Sequence, residues 1–123
     1  MSGRRQARRT ALFVLYQWDV TGRPLASLYE GEVDEYARAL AEAVAGNAAE
    51  LDARISAAAY DWSAERLGAL ERNILRIALS ELDGDEVPPE VAIDEAVSLA
   101  KRYASPDAAK LVNGILGRVV KAA

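Results

Sequence analysis

The chain has 123 residues, 51% of them apolar, and sets 15 lysines and arginines against 19 acids for a formal net charge of −4. That size suits one compact domain over residues 1–123. The absence of both cysteine and histidine excludes a disulfide framework, a thiolate metal site and the commonest general base and metal ligand.

The longest apolar run, Ala11-Leu12-Phe13-Val14-Leu15-Tyr16, is far shorter than the ~20 residues needed to cross a bilayer, so a soluble, cytoplasmic protein with no membrane segment is expected. A first helix is expected over about residues 4–20, stopped by Thr21-Gly22-Arg23-Pro24 with glycine placed for a C-cap and proline just beyond. Residues 23–32 form the longest irregular stretch. Val33, Tyr36, Ala37, Leu40 and Val44 mark one face of a second helix, which Gly46-Asn47 interrupts. Leu51, Ile55, Ala58 and Trp62 mark a third.

Ser63 and Glu65 give start signals for a fourth helix. Its apolar positions, from Leu67 and Leu70 through Ile74, Leu75, Ile77, Ala78, Leu79 and Leu82, cover about 200° of its circumference. So wide an arc needs neighbours on more than one side, which makes this the central helix. Asp83-Gly84-Asp85 ends it. Pro88-Pro89 opens a fifth helix carrying Ala92, Ile93, Ala96, Val97 and Ala100. Ser105-Pro106-Asp107 opens a sixth with a cap, a proline at the first position and an acid in the first turn. The whole reads as an all-α bundle.

All 19 acids lie after residue 18, whereas Arg4, Arg5, Arg8 and Arg9 precede the first of them, Asp19. On the first helix these arginines spread over about 140°, beside a core face of Ala7, Ala11, Val14, Leu15 and Trp18, and Tyr16 falls between Arg5 and Arg9. Cations at a helix N-terminus oppose the helix dipole, while phosphate is favoured there. Guanidinium groups fork onto phosphate, and an adjacent tyrosine offers a base a stacking face. The competing reading is a solvated, frayed terminus. A transit peptide is disfavoured because the same helix runs into core positions ending at Trp18.

Two carboxylates, Glu71 and Glu81, fall within the apolar arc of the fourth helix, so each is paired with a cation or lies at an interface. Glu71 is expected to pair within the chain, with Arg72 and Arg76 on its own helix or with other cations across the bundle. Glu81, near the helix end, is expected to be exposed and to meet a partner. Without histidine, a glycine-rich phosphate loop or a plausible nucleophile, catalysis is not expected, nor is any cofactor. Gly114 and Gly117 inside the sixth helix each cost about 1 kcal/mol relative to alanine, which suggests close approach of another helix.

Taken together, several motifs resemble the NusB family of bacterial transcription antitermination factors. They are Arg4-Arg5-Gln6-Ala7-Arg8 with Ala11 and Leu15-Tyr16-Gln17-Trp18, then Ile74-Leu75-Arg76-Ile77-Ala78-Leu79 with Glu81-Leu82. Val87-Pro88 with Val91-Ala92-Ile93-Asp94-Glu95-Ala96-Val97 and Leu99-Ala100-Lys101 follows, and Val112-Asn113-Gly114-Ile115-Leu116 closes the set. This ordered set spans nearly the whole chain.

The resemblance implies a compact bundle of six to seven helices in two small subdomains. It implies binding of boxA-like single-stranded RNA together with NusE, a small-subunit ribosomal protein, and loading of an antitermination complex onto RNA polymerase, notably in ribosomal RNA transcription. It maps RNA contact onto Arg4, Arg5 and Arg8, to which the helical projection adds Arg9. It also places Tyr16 and Glu81 near the RNA and NusE contact region, and Asp107 on the RNA-facing surface.

Three positions depart from many relatives. Leu111 replaces a phenylalanine, Ser80 a tyrosine and Asp94 an asparagine. The same domain type resembles the N-terminal part of an RNA cytosine methyltransferase; with the chain ending at Lys121-Ala122-Ala123 no cofactor-binding part is expected, and a longer gene product would revive that alternative. A protein-only helical adaptor is a further alternative, and both monomer and homodimer are open.

Overall fold

Six α-helices and no strand make up the described residues, 3–60 and 66–122, of the computed structural model. They are α1 (Arg4–Thr21), α2 (Glu35–Gly46), α3 (Ala48–Ala58), α4 (Ala69–Asp83), α5 (Pro89–Tyr103) and α6 (Pro106–Ala122), with a short 3-10 turn at Leu25–Leu28 after α1.

Local chemistry sets most of these boundaries. Gly22 adopts φ 72° and returns its N–H to the Trp18 carbonyl at 3.0 Å, the left-handed cap that glycine takes without a Cβ penalty. The Asp34 carboxylate accepts from the Tyr36 and Ala37 amides and starts α2. Pro88 caps α5 and Pro89 enters its first turn. At α6 the Ser105 hydroxyl accepts from the Ala108 amide at 3.0 Å.

One boundary differs from the expectation. The helix α4 begins at Ala69, capped by Gly68, so Leu67 precedes it, although Leu67 is still buried. Trp62, Ser63 and Glu65 lie outside the described residues.

The wide apolar arc of α4 has its physical counterpart in the packing: α4 contacts each of the other five helices. The most extensive pairings elsewhere are α1 with α2 and α5 with α6. One apolar cluster runs through all six helices, with Leu12 and Leu15 of α1, Val44 of α2, Ile55 of α3, Ile74, Leu75 and Leu79 of α4, Ala100 of α5 and Ile115 and Leu116 of α6 at its centre.

Polar residues of α4 are buried in this cluster because each is paired. The fully buried Asn73 donates to Asp19 at 3.0 Å and to the Ala69 carbonyl at 2.8 Å. Arg76 forks onto Asp52 of α3 at 2.7 and 2.6 Å and reaches Asp19 of α1 at 3.2 Å. Arg72 bonds the same Asp19 at 2.9 Å. The expectation that Arg72 and Arg76 serve Glu71 is therefore corrected: both turn to acids on neighbouring helices. Glu71 instead folds back over Gly68, where an added Cβ would sit 2.5 Å from its carboxylate.

The expected close approach at the α6 glycines is also corrected. Among the described residues a Cβ at Gly117 would meet nothing within 4 Å, and one at Gly114 would meet only the Arg118 side chain, at 3.6 Å.

Candidate nucleic-acid interface

A cleft of about 770 Å³ opens between the start of α1 and the outer side of α5. The α1 wall brings Arg4, Arg5, Arg8 and Arg9, the α5 wall brings Arg102 and Tyr103, and Val87, Pro88, Val91 and Leu99 supply apolar surface. Among the described residues, Glu95 is the one acid lining it. In a chain with net charge −4 this is the local concentration of positive charge that a polyanion requires.

The four N-terminal arginines divide by environment. Arg8, expected on the flank beside the core face and in contact with RNA, has a side chain only 5% exposed, and Glu81, expected at the surface, has one only 2% exposed. The Arg8 Nε lies 2.8 and 2.9 Å from the two Glu81 oxygens, and its Nη1 lies 3.3 Å from Glu95. The Tyr36 hydroxyl of α2 donates to the same Glu81 carboxylate. Both expectations are corrected: Arg8 occupies the margin of the core face of α1, where it meets the carboxylate carried on the apolar arc of α4. A buried charge is tolerable there because each is paired.

Electrostatics follow from that enclosure. Burial lowers the affinity of the Arg8 guanidinium for its proton, but the hydrogen bond and charge of Glu81 more than offset this, so its pKa is raised. Burial and the hydrogen bond to Glu81 push the Tyr36 phenol up to about 12. The guanidinium is thus held charged and the Tyr36 phenol neutral, both against the Glu81 carboxylate.

Of the remaining arginines, Arg4 and Arg5 are exposed and Arg9 is half-buried. The Arg5 Nε bonds Glu95 at 2.8 Å, yet its side chain is 86% exposed, leaving donors to solvent. Arg4 pairs with Glu86 at 2.9 Å and lies 4.6 Å from the centre of the Tyr36 ring. Arg9 has no ion pair among the described residues.

Tyr16 is exposed on α1, and Asp107 is exposed in the first turn of α6. Neither lines the cleft, so the arginines gather there without them. Sequence reasoning missed Arg102, Glu95 and Tyr36 as members of this region. Arg102 had a signal, a Lys101-Arg102 pair in the last turn of a helix. Pairing Glu95 with α1 required the fold.

The NusB family model matches residues 5–121. A transcription antitermination protein NusB of Rubrobacter xylanophilus is 42% identical over 120 residues, covering 92% of this chain and 86% of the relative. The structure of T. maritima NusB superimposes with a TM-score of 0.85 at 34% identity, covering 97% of this chain and 91% of that one. A chain from the crystal structure of antitermination factors NusB and NusE in complex with double-stranded RNA gives a TM-score of 0.84 at 34% identity, covering 98% and 97%.

Proposed function

The chain belongs to the NusB family, and from that premise we propose that it is a transcription antitermination factor that binds RNA together with NusE and joins the antitermination complex on RNA polymerase. It acts by assembly and catalyses no reaction. No helix among the described residues is long and apolar enough to cross a membrane, and we place the protein in the cytoplasm, where nascent transcripts are made.

One observation carries the RNA reading: the arginine-lined cleft between α1 and α5. Its apolar floor and basic walls fit a single strand, whose phosphates take guanidinium forks while sugars and bases cover carbon. A boxA-like element is the RNA we assign to it. Within the site, Arg4, Arg5 and Arg9 present donors to the strand. Arg8 serves as a positioning residue, tying α1 to Glu81 and Glu95 so that the cleft keeps its shape. Tyr16 and Asp107, away from the cleft, are assigned to the surface that NusE and the RNA complete together. For Glu81, burial supports an internal role in place of partner contact.

The test is a mobility shift of boxA-like RNA with this protein, with and without NusE. A shift that strengthens when NusE is added supports the reading. A protein that binds NusE but leaves RNA unshifted in both lanes overturns it in favour of a protein-only adaptor.

A further inference from the structure

Of the five arginines lining the α1–α5 cleft, Arg4, Arg5 and Arg8 each face a carboxylate. Arg9, on the α1 wall, and Arg102, on the α5 wall, have no ion pair among the described residues. Arg102 is exposed in the last turn of α5, and its guanidinium lies 5.3 Å from the centre of the Tyr103 ring. Tyr103 is itself fixed edge-on to Phe13 of α1, with ring centres 5.1 Å apart. The Arg102 side chain therefore rests on an aromatic platform that bridges the two helices.

We propose that Arg102 is a phosphate-binding residue of this protein, acting with Arg9 from the opposite wall of the cleft. The inference rests on the RNA reading above and names where its backbone charge is neutralised. The position of Glu95 supports it. That carboxylate accepts from Arg5 at 2.8 Å and from Arg8 at 3.3 Å, so it offsets positive charge at its own end of the cleft and repels a phosphate there. No carboxylate pairs with Arg9 or Arg102 among the described residues. A strand in the cleft places phosphate between those two guanidiniums and turns a sugar hydroxyl or base amine, which can donate, toward Glu95.

Each phosphate neutralised on a single strand contributes about 0.7 to the slope of log affinity against log salt. The experiment is fluorescence anisotropy of a labelled boxA-like RNA with the whole chain and NusE, over a series of monovalent salt concentrations. The variants are R102Q, R102K, R9Q and K101Q, with helical circular dichroism as a check of folding. Lys101 is exposed beside Arg102 but does not line the cleft.

R102Q and R9Q are each expected to flatten the slope by about 0.7 and weaken binding about fivefold near 0.1 M salt. K101Q is expected to match the wild type, and R102K to keep the slope. Wild-type protein that binds RNA, with R102Q leaving the slope unchanged, overturns the assignment of Arg102 alone. An equal effect of K101Q and R102Q also overturns it, since diffuse charge then accounts for binding. Wild-type protein that fails to bind RNA with NusE present overturns the RNA reading itself.

Discussion

Arg8 and Glu81 stand 73 residues apart in sequence and meet with the arginine Nε 2.8 and 2.9 Å from the two carboxylate oxygens. The contact joins the start of α1 to the end of α4 inside the protein. Each charge depends on the other for its place in the interior, because removing one leaves the other desolvated and unpaired.

Arg8→Met and Glu81→Leu should each lower stability by about 3–5 kcal/mol. The double variant should lose much less than the sum, since it buries no orphaned charge. Urea denaturation of the three variants measures both effects. Additive losses would contradict the pairing. Any RNA-binding defect in an Arg8 variant is accordingly expected to track its loss of folded protein.

Tyr36 should be visible in alkaline titration. The folded protein holds its phenol protonated to about 12, against 10.0 for the ordinary group, chiefly through burial and then through the bond to Glu81. The unfolded chain ionises first, so the stabilisation is fully present below pH ~10 and is lost as pH rises toward ~12. Ultraviolet absorbance of tyrosinate should show two late-titrating groups among the 5 tyrosines, Tyr36 and Tyr29, whose phenol burial also pushes up. Tyr36→Phe should remove the phase near 12, leave that of Tyr29, and flatten the decline in stability over the same window; a phase near 12 that persists in Tyr36→Phe would contradict the assignment.

Glu95→Gln should tighten RNA binding. The change removes the carboxylate charge that holds Arg5 at 2.8 Å and keeps an amide of similar size. An ion pair with so exposed an arginine contributes about 0.2–1 kcal/mol, so releasing Arg5 to the strand should raise affinity by up to about fivefold. Anisotropy at fixed salt reads the change. Weaker binding would mean that Glu95 contacts the RNA more strongly than it repels it.

Gly117→Ala should stabilise the protein by about 0.5–1 kcal/mol, because alanine costs less backbone entropy within a helix. The added methyl meets nothing within 4 Å among the described residues. A higher urea midpoint with an unchanged slope is the expected result; a lower midpoint would show that the position needs its missing side chain.

Where local chemistry fixes structure, the sequence was readable. Gly22 and the Ser105-Pro106 pair act on their own backbone, so the end of α1 and the start of α6 stand where they were expected. The breadth of the α4 apolar face likewise announced a helix with neighbours all round. The start of α4 was less readable, since Leu67 fits the helical period yet lies in the turn before Gly68.

The site was half legible. Clustering of arginines at the start of α1 is a property of the sequence alone, and so is a carboxylate at position 81 on an apolar face. That Arg8 and Glu81 answer each other is a property of how two distant helices cross, which periodicity within either helix does not contain. Arg102 stayed hidden for the same reason. Its importance comes from the wall opposite, which belongs to another helix.

The two ionic clusters on α4 also have a directional meaning. Along α1 the charge near the start is positive, Arg8, and the charge near the end is negative, Asp19. Along α4 the positive groups Arg72 and Arg76 come first and the negative Glu81 comes last. The observed pairs, Arg8 with Glu81 and Asp19 with Arg72 and Arg76, exist only when the helices run antiparallel. Docked the other way round, α1 would set arginine against arginine at one end and carboxylate against carboxylate at the other, with its leucines still buried. Apolar packing alone would tolerate either polarity far more evenly, so these charges tell the chain which way α1 must point, at the cost of desolvating them.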